Sequence, residues 1–436
     1  TLSGKREIVF GLQATPVRPL PENWRGYCFH VPGLKLKLPD DFPRLPWGSF
    51  LSDAAGWDEG GVLDYPYNPE KTRQVIENLR QQGLKATPHL DTAYLNWGWK
   101  KDTYRYFQEE WSSGGVAYNQ IFCRSKIDWC LESQRRWKEE FGIDGVYYDT
   151  GTLRPNYNTI SGTAYLLPDG RIQPGWCVWG QREYFQRSAH LFGNPGETNF
   201  TWGNGFYGPQ ISGWQLGVVV GEQPPRKPGI DDYGQVSFPF EKHRLHAVSY
   251  KWGLIRLWQP PPDPYRGIEE DRKFIRSFYA QLLQFDCRTA FTSFGLPLSL
   301  AEFGVYRPGI VFYPFWKNSE ILSTSLPSGI IFSCYRDGQR LLLLTSNRSP
   351  ETKEVVINLG LRKLGLEAFR GFLTEDPEER EKPMHGEPEY VENYRWLRGG
   401  RCLLPPEELS VAITSDQEKL SLRFRVAGKD YRVLLI

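Results

Sequence analysis

Apolar and polar positions along the first 300 residues form blocks that predict short strands followed by helices. The clearest helix, residues 69–83, begins after the capping residue Asn68 and ends at Gly83. The strand-like blocks are residues 7–17, 84–96, 142–151 and 213–223, and further helix-like blocks are 125–141, 179–193, 241–258 and 269–285. Short apolar strands that alternate with helices predict parallel strands wrapped by helices.

The pattern changes after about residue 312 into short strands with alternating apolar residues, as in "KEVVINLGL" and "KLSLRFRVAG". We therefore predict two domains: an α/β domain, residues 1–312, built as a (β/α)8 TIM-like barrel, and a C-terminal antiparallel β-sandwich domain, residues 313–436. An open doubly wound sheet is the alternative for the first domain. The sequence has no P-loop to support that alternative.

Composition excludes several classes of function. The formal net charge is +2, from 53 basic and 51 acidic residues, so the chain lacks the charge excess typical of nucleic-acid or anionic-membrane binding. It has no run of about 18 apolar residues that would span a membrane. The seven cysteines contain no C-x-x-C pair, and His243 and His246, three apart on a predicted helix, have no acidic partner motif. We therefore predict no metal and no other cofactor.

Aromatic residues are unusually frequent, at 15% of the chain with 16 tryptophans. Flat aromatic faces suit the apolar C–H faces of sugar rings, and several tryptophans lie in glycine-rich segments rather than in apolar runs. A large barrel core with tryptophans at the ends of its elements is the alternative. The composition is thus compatible with a carbohydrate partner.

The stretch "FGIDGVYYDTG", residues 141–151, ends a buried strand on an acid, Asp149. In a (β/α) barrel the carboxyl ends of the strands form the active-site face, so we expect Asp149 to project into that mouth. Glu222 ends the apolar run "GVVVGEQ" in the same way, and His89 and Asp91 repeat the pattern more faintly in "ATPHLDT". An aspartate that only caps a turn is the alternative for Asp149.

Two carboxyl groups from separate strand ends are what glycoside cleavage requires. One must be protonated to help the leaving oxygen depart, and the other must be ionised to attack the sugar or to activate water. We predict Asp149 as nucleophile or charge stabiliser and Glu222 as general acid/base, with the reverse assignment open. Asp58 and Glu59 in "GWDEGG" are a third candidate. The sequence has no G-x-S-x-G elbow and no H-E-x-x-H motif.

Substrate contacts are predicted around the same mouth, from aromatic, basic and polar side chains. The set comprises His89, Asp91, Trp97, Tyr148, Arg154, Arg182, Trp202 and Trp258. Trp202 follows a predicted strand in "TNFTWGN", a position that suits stacking against a sugar. For the tryptophans an aromatic cap on the barrel is the alternative, and for Arg182 an exposed helix arginine.

An ordered series of segments resembles the barrel of uncharacterised bacterial proteins related to glycoside hydrolase family 123. The segments are "FGLQATPVRPLPENWR", "FGIDGVYYDTG", "LPDGRIQP", "WGQREYFQR", "VVVGEQ" and "FEKHRLHAVSYKWG". The resemblance implies a barrel flanked by β-sandwich domains and a substrate-assisted β-N-acetylgalactosaminidase. In such enzymes the acetamido oxygen of the sugar attacks, an Asp orients it, and the adjacent Glu is the acid. Here Thr150 follows Asp149, so the acid is missing at that position.

We therefore expect a glycoside hydrolase that acts on a glycan, with N-acetylhexosamine-containing glycans as one candidate class. A catalytically inactive glycan-binding barrel protein, suggested by Thr150, and a structural subunit of a larger assembly are the alternatives. The chain starts at Thr1 and has a single methionine, Met384, so we expect it to be part of a longer polypeptide or assembly. A glycan substrate favours a secreted or periplasmic protein.

Overall fold

The structure is a computed structural model that describes the chain in separate ranges. These are residues 9–27, 64–91, 106–112, 121–149, 153, 155–204, 208–221, 230, 232–235, 240–249, 251–259, 268–289, 300, 303–322, 325–338, 340–366, 410–413 and 419–435. Five residues singled out above lie outside the described residues, namely Asp58, Glu59, Trp97, Arg154 and Glu222. For Asp91 only the backbone is described.

Seven α-helices lie within these ranges. They are α1 Pro69–Gln81, α2 Gln108–Trp111, α3 Arg124–Phe141, α4 Val178–Phe192, α5 Pro209–Ser212, α6 Phe240–Ala247 and α7 Ile268–Leu282. Asn68 caps α1, because its Oδ1 accepts the backbone N–H of Lys71 at 3.1 Å. α3 ends at Gly142, whose φ of 70° is a left-handed conformation that glycine adopts without strain. The predictions of helices at 69–83 and 125–141 are confirmed.

The strands fall into a parallel sheet, a small hairpin and two antiparallel sheets. They are β1 His89–Asp91, β2 Tyr147–Asp149, β3 Tyr165–Leu166, β4 Ile172–Gln173, β5 Trp202–Asn204, β6 Gly217–Val220, β7 Ile255–Trp258, β8 Arg288–Thr289, β9 Val311–Tyr313, β10 Ile330–Asp337, β11 Arg340–Asn347, β12 Lys353–Gly360, β13 Ser410–Ile413, β14 Lys419–Val426 and β15 Asp430–Leu435. The parallel sheet has the order β1-β2-β5-β6-β7-β8. Consecutive strands thus lie side by side, as βα units require.

The chain divides into two compact units. The first comprises Thr1–Leu20, Pro46–Val218 and Tyr250–Ile255, and the second comprises Pro21–Leu45, Val219–Ser249 and Arg256–Ile436. Strands β6 and β7 each contribute residues to both units.

In the first unit the helices pack on one face of β1 and β2. Leu90 and Tyr148 belong to a buried apolar cluster with side chains of α1, α3 and α4, among them Trp137. Side chains alternate between the two faces of a strand, so His89, Tyr147 and Asp149 point to the opposite side. Burial of each large apolar side chain stabilises the fold by about 1.5–3 kcal/mol, which anchors the strands that carry these polar residues.

In the second unit two antiparallel sheets form a sandwich. Their strand orders are β15-β11-β10-β9 and β12-β14-β13. Every second residue of β14 is buried, and the inner faces of both sheets share one apolar cluster with members such as Leu343 and Ile357. The alternation of apolar and polar residues explains why β12 and β14 each bury one face and leave the other more open to solvent.

A buried ion cluster also lies in the second unit, just before β8. Arg25 donates to both carboxylate oxygens of Asp286, from Nε at 2.9 Å and from Nη2 at 2.9 Å. Arg288 Nη2 donates at 3.1 Å and Tyr335 Oη at 2.7 Å to Oδ1 of the same carboxylate. The side chain of Asp286 is only 2% exposed, so its charge depends on these partners.

The predicted fold class is confirmed: an α/β part with a parallel sheet like that of a TIM barrel, followed by antiparallel β-sheets. The boundary at residues 312 and 313 stays a prediction, although β9 already pairs with β10.

Two element predictions are wrong. Residues 9–14 are not a strand, and the apolar side chains Val9, Phe10 and Leu12 are exposed. The block 241–258 is not one helix, because α6 ends at Ala247 and β7 follows. The block is apolar on several sides, so its periodicity does not separate a helix from a buried strand.

Candidate active site

Three polar residues come from the neighbouring parallel strands β1, β2 and β5. The register aligns His89 with Tyr147 and Tyr147 with Trp202. Asp149 and Asn204 each lie two residues further along their strands, at the carboxyl ends. Because side chains two residues apart share a face, His89, Asp149 and Asn204 project from the same side of the sheet.

The Asp149 carboxylate lies beside side-chain nitrogens of Asn204 and His89, on opposite oxygens. Asn204 Nδ2 donates to Oδ1 at 2.9 Å, and His89 Nε2 lies 3.2 Å from Oδ2. An ionised carboxylate only accepts hydrogen bonds, so His89 carries its hydrogen on Nε2 when Asp149 is ionised. The His89 ring stacks on Tyr147, with 5.2 Å between the ring centroids, which fixes the plane of the imidazole. The side chain of Asp149 is 26% exposed and therefore accessible to a ligand.

The structure thus brings together two predicted residues, Asp149 and His89, and adds Asn204, which the sequence analysis missed. The sequence did contain a signal for Asn204, namely its spacing from Trp202. Asn204 lies two residues after Trp202, so in an extended segment the two side chains share a face. Trp202 was predicted as the substrate contact instead, because aromatic rings are typical of sugar-binding sites.

Tyr148 does not contact the Asp149 side of the sheet, and its prediction as a substrate contact is wrong. Its Oη is bound by Gln134 Nε2 and Ser188 Oγ, each at 2.9 Å, among the helices. Burial raises the pKa of Tyr148 to about 12, which keeps the phenol neutral at ordinary pH. Tyr148 lies on the helix side because successive side chains of a strand point to opposite faces, and Tyr148 directly precedes Asp149.

Trp202 and Trp258 are fully buried, so neither ring offers a face to a ligand in solvent. Trp202 fits because β6 begins with glycine: a Cβ at Gly217 would lie 2.4 Å from the indole ring. In the second unit, Trp258 Nε1 donates to Tyr233 Oη at 2.7 Å, and its ring lies 4.5 Å from that of His243. Both tryptophans are core residues, which corrects their prediction as substrate contacts.

Arg182 lies on α4, with its Cζ 5.2 Å from the centroid of the Trp214 ring. This is a cation–π contact within the first unit. Its predicted contact with substrate stays a prediction, as do those of Asp91, Trp97 and Arg154.

The chain leaves the carboxyl end of β2 into an excursion of residues 155–177 before α4 begins. Asn156 and Gly175 close its base with two backbone hydrogen bonds, of 2.8 and 3.0 Å. Asn158 Nδ2 donates to the backbone carbonyls of Glu109 and Ser112, at 2.6 and 2.7 Å. The excursion is therefore a fixed structure that starts from the edge at which Asp149 lies.

Four large aromatic side chains in or next to this excursion are exposed: Tyr157, Tyr165, Trp176 and Trp179. Exposed indole rings are the kind of surface on which sugar rings stack. Trp176 and Trp179 were missed in the sequence because neither ends a predicted strand, and Trp179 instead begins the predicted helix 179–193.

Among the described side chains, no group of three or more His, Cys, Asp or Glu residues is arranged to hold a metal ion. Within the same part of the chain, every helix is too short or too polar to cross a bilayer.

No family model matches the sequence, and no curated protein matches it either. Among solved structures, the chain is similar to a noncanonic maltogenic alpha-amylase, AmyB, from Thermotoga neapolitana, with 9% identity over 90% of this chain and 89% of that one and a TM-score of 0.45. An Anoxybacillus alpha-amylase has 8% identity, coverage of 94% and 98%, and a TM-score of 0.46.

A GH27 β-L-arabinopyranosidase from Geobacillus stearothermophilus, solved in complex with arabinose, has 9% identity, coverage of 96% and 93%, and a TM-score of 0.44. Identities this low transfer no residue role and no substrate to this protein.

Proposed function

We propose that this protein is a glycoside hydrolase in which Asp149 is the nucleophile or the stabiliser of developing positive charge. The observation that carries the proposal is the carboxylate held by His89 and Asn204 at the carboxyl edge of a parallel sheet. Glycoside cleavage passes through an oxocarbenium-like state, which an oriented, ionised carboxylate stabilises. Two donors on separate oxygens supply that orientation, and partial exposure leaves room for a sugar.

Glu222 is proposed as the general acid/base. The proposal rests on the sequence, in which Glu222 follows β6 after Gly221. The turn at Gly221 is tightly defined: its φ is 84°, and a Cβ there would lie 2.2 Å from the Trp258 ring. Tyr157, Trp176 and Trp179 are proposed to stack against the glycan.

The resemblance to family 123 refines the substrate class. Under a substrate-assisted scheme, Asp149 would orient the acetamido group of an N-acetylhexosamine, and the acid would come from Glu222 because Thr150 replaces the adjacent glutamate. The finer substrate assignment is tested by comparing nitrophenyl N-acetylhexosaminides with nitrophenyl hexosides. Turnover of hexosides alone would contradict the acetamido role and leave the hydrolase proposal intact.

The central test uses Asp149→Asn and Glu222→Gln on whichever aryl glycoside is turned over. Each variant should lower kcat by a factor on the order of 10³ or more, because removal of a reacting carboxylate removes transition-state stabilisation. Asp128→Asn, an exposed aspartate on α3 paired with Arg124 and Arg187, is the matched control and should keep full activity. Full activity in both carboxylate variants would rule the proposal out, and glycan binding without any turnover would favour the inactive binding protein.

A further inference from the structure

The second unit contains a cavity of about 410 Å³ that the proposed hydrolysis does not use. Its walls come from the turn Tyr233–Gln235, from α6 and α7, and from the β11–β12 and β14–β15 turns. The lining residues that matter here are Asp232, Gln235, Phe240, Gln281, Arg348 and Lys429. A cavity of this volume suits a polar molecule about the size of one sugar ring or slightly larger.

The two cations of the cavity are carried by turns that are fixed against each other. The backbone N–H of Lys429 donates to the carbonyl of Ser349 at 2.9 Å, next to Arg348. At Gly428 the backbone touches Pro350 so closely that a Cβ would lie 1.9 Å from its carbonyl oxygen. The positions from which the Arg348 and Lys429 side chains start are therefore set by the fold and not by a flexible loop.

The charges in the cavity do not cancel. Lys429 Nζ lies 3.0 Å from Asp232 Oδ2, and the backbone N–H of Gly234 donates to Oδ1 at 2.9 Å, so this carboxylate is matched. Arg348 forms no ion pair with the residues that the structure describes, and its Cζ lies 3.8 Å from the centroid of the Phe240 ring. One positive charge is thus in excess among the lining side chains.

The surroundings of Arg348 favour an anion. Its guanidinium stacks with one face on Phe240, so its N–H groups lie in the plane of the group and point away from the ring. Partial burial lowers the pKa of Arg348, against the opposing charge of Glu241. The planar fork of its guanidinium matches two oxygens of a carboxylate or phosphate.

Lys429 also has an unusual backbone. Its φ of 55° is in the left-handed region, which glycine and asparagine adopt more readily than lysine. Residues held in such conformations cluster at ligand-binding and catalytic sites. A lysine here places an ammonium group in the cavity wall where a glycine would complete the turn with less strain.

We propose that this cavity binds a small hydroxylated molecule that carries one carboxylate or phosphate group. Arg348 and Lys429 bind the oxyanion, while the amides of Gln235 and Gln281 bind hydroxyl groups, since an amide both donates and accepts hydrogen bonds. The site belongs to the second unit and does not depend on the proposed role of Asp149.

The first test measures binding of four probes by calorimetry: glucuronate, glucose 6-phosphate, glucose and inorganic phosphate. We expect glucuronate or glucose 6-phosphate to bind, and the tighter of the two identifies the oxyanion. At about 10 mM, well above the Kd of a sub-millimolar ligand, the absence of binding by both would overturn the proposal. Equal binding of glucose, or binding of inorganic phosphate alone, would overturn it as well.

The second test uses Arg348→Gln, which leaves no buried carboxylate unpaired and should unfold at the wild-type temperature. We expect it to weaken binding of the anionic probe by about tenfold or more. Arg423→Gln, an exposed arginine of β14 paired with Glu354, is the matched control and should bind normally. Undiminished binding by Arg348→Gln would refute the site. Asp149→Asn should bind as the wild type does, which separates this result from the outcome for the hydrolase.

Discussion

Asp149 and Asp286 are two carboxylates beside parallel strands, and their surroundings differ in every respect that matters for chemistry. Asp149 ends β2, lies beside the Asn204 amide and the His89 imidazole, and is 26% exposed. Asp286 precedes β8, contacts two arginines and a tyrosine, and is 2% exposed. The first lies where a ligand can approach, whereas the second is enclosed by its own partners.

The contrast separates the carboxylate that is proposed to react from a structural one. In barrels the residues that follow the strands perform chemistry, and those that precede the strands maintain the fold. Charged partners buried with Asp286 compensate the cost of desolvating it. Asp149 is oriented by His89 and Asn204, and under the proposed function its carboxylate faces a developing positive charge on the substrate.

The largest expected effect comes from Asp286→Ala. Removal of this carboxylate leaves Arg25 and Arg288 buried without their counter-ion, so the free energy of unfolding should fall by about 3–5 kcal/mol. Asp149→Ala, the same substitution in the open cluster, should cost less than about 1 kcal/mol. Urea unfolding of both variants measures the difference. Similar losses for the two would mean that the clusters do not differ as described.

Apolar burial in the sandwich should matter for stability and not for catalysis. Ile357→Ala removes a fully buried side chain from the cluster between the two antiparallel sheets and should destabilise the protein by about 2–5 kcal/mol. Val356→Ala, on the other face of β12, should cost less than about 1 kcal/mol. Below the unfolding temperature, kcat of both should equal that of the wild type; a large fall in kcat would link the sandwich to the chemistry.

Asn204→Ala tests the positioning of Asp149. Loss of the 2.9 Å hydrogen bond frees one carboxylate oxygen, so kcat should fall about 10- to 100-fold while KM changes little. Asn194→Ala, an exposed asparagine after α4, is the control. A rise in KM with an unchanged kcat would assign Asn204 to substrate binding and not to positioning.

The smallest expected effect concerns α1, which leads into β1. Asn68→Ala removes the N-cap bond to Lys71 and should cost about 1 kcal/mol of stability. Asn78→Ala, exposed in the interior of the same helix, should instead stabilise by a few tenths of a kcal/mol, about the difference in helix propensity. Thermal unfolding distinguishes the two signs, and equal signs would show that the cap has no role.

Sequence patterns predicted the fold class and the Asp149 position because local physics determines both. A capping asparagine and a left-handed glycine delimit helices wherever they occur, as at Asn68 and Gly142. The alternation along β14 likewise requires one buried face. Asp149 was identifiable because an acid at the end of an apolar strand has no place in a core.

The predictions that were wrong concern features that depend on neighbours in space. Tyr148, Trp202 and Trp258 are buried by residues distant in sequence, so their aromatic character alone suggested substrate contacts that burial excludes. Asn204 became meaningful only when the register placed it beside Asp149. The break between α6 and β7 was missed because residues on both sides of it are apolar.

The two backbone hydrogen bonds between Asn156 and Gly175 have a consequence for how this protein can diverge. They close the base of the excursion, so the length and the side chains of the segment between Asn156 and Gly175 can change while β2 and α4 keep their positions. Under the proposed function, exchange of this segment together with its exposed Tyr157 and Tyr165 would change the sugar preference without any adjustment of the strand that ends in Asp149.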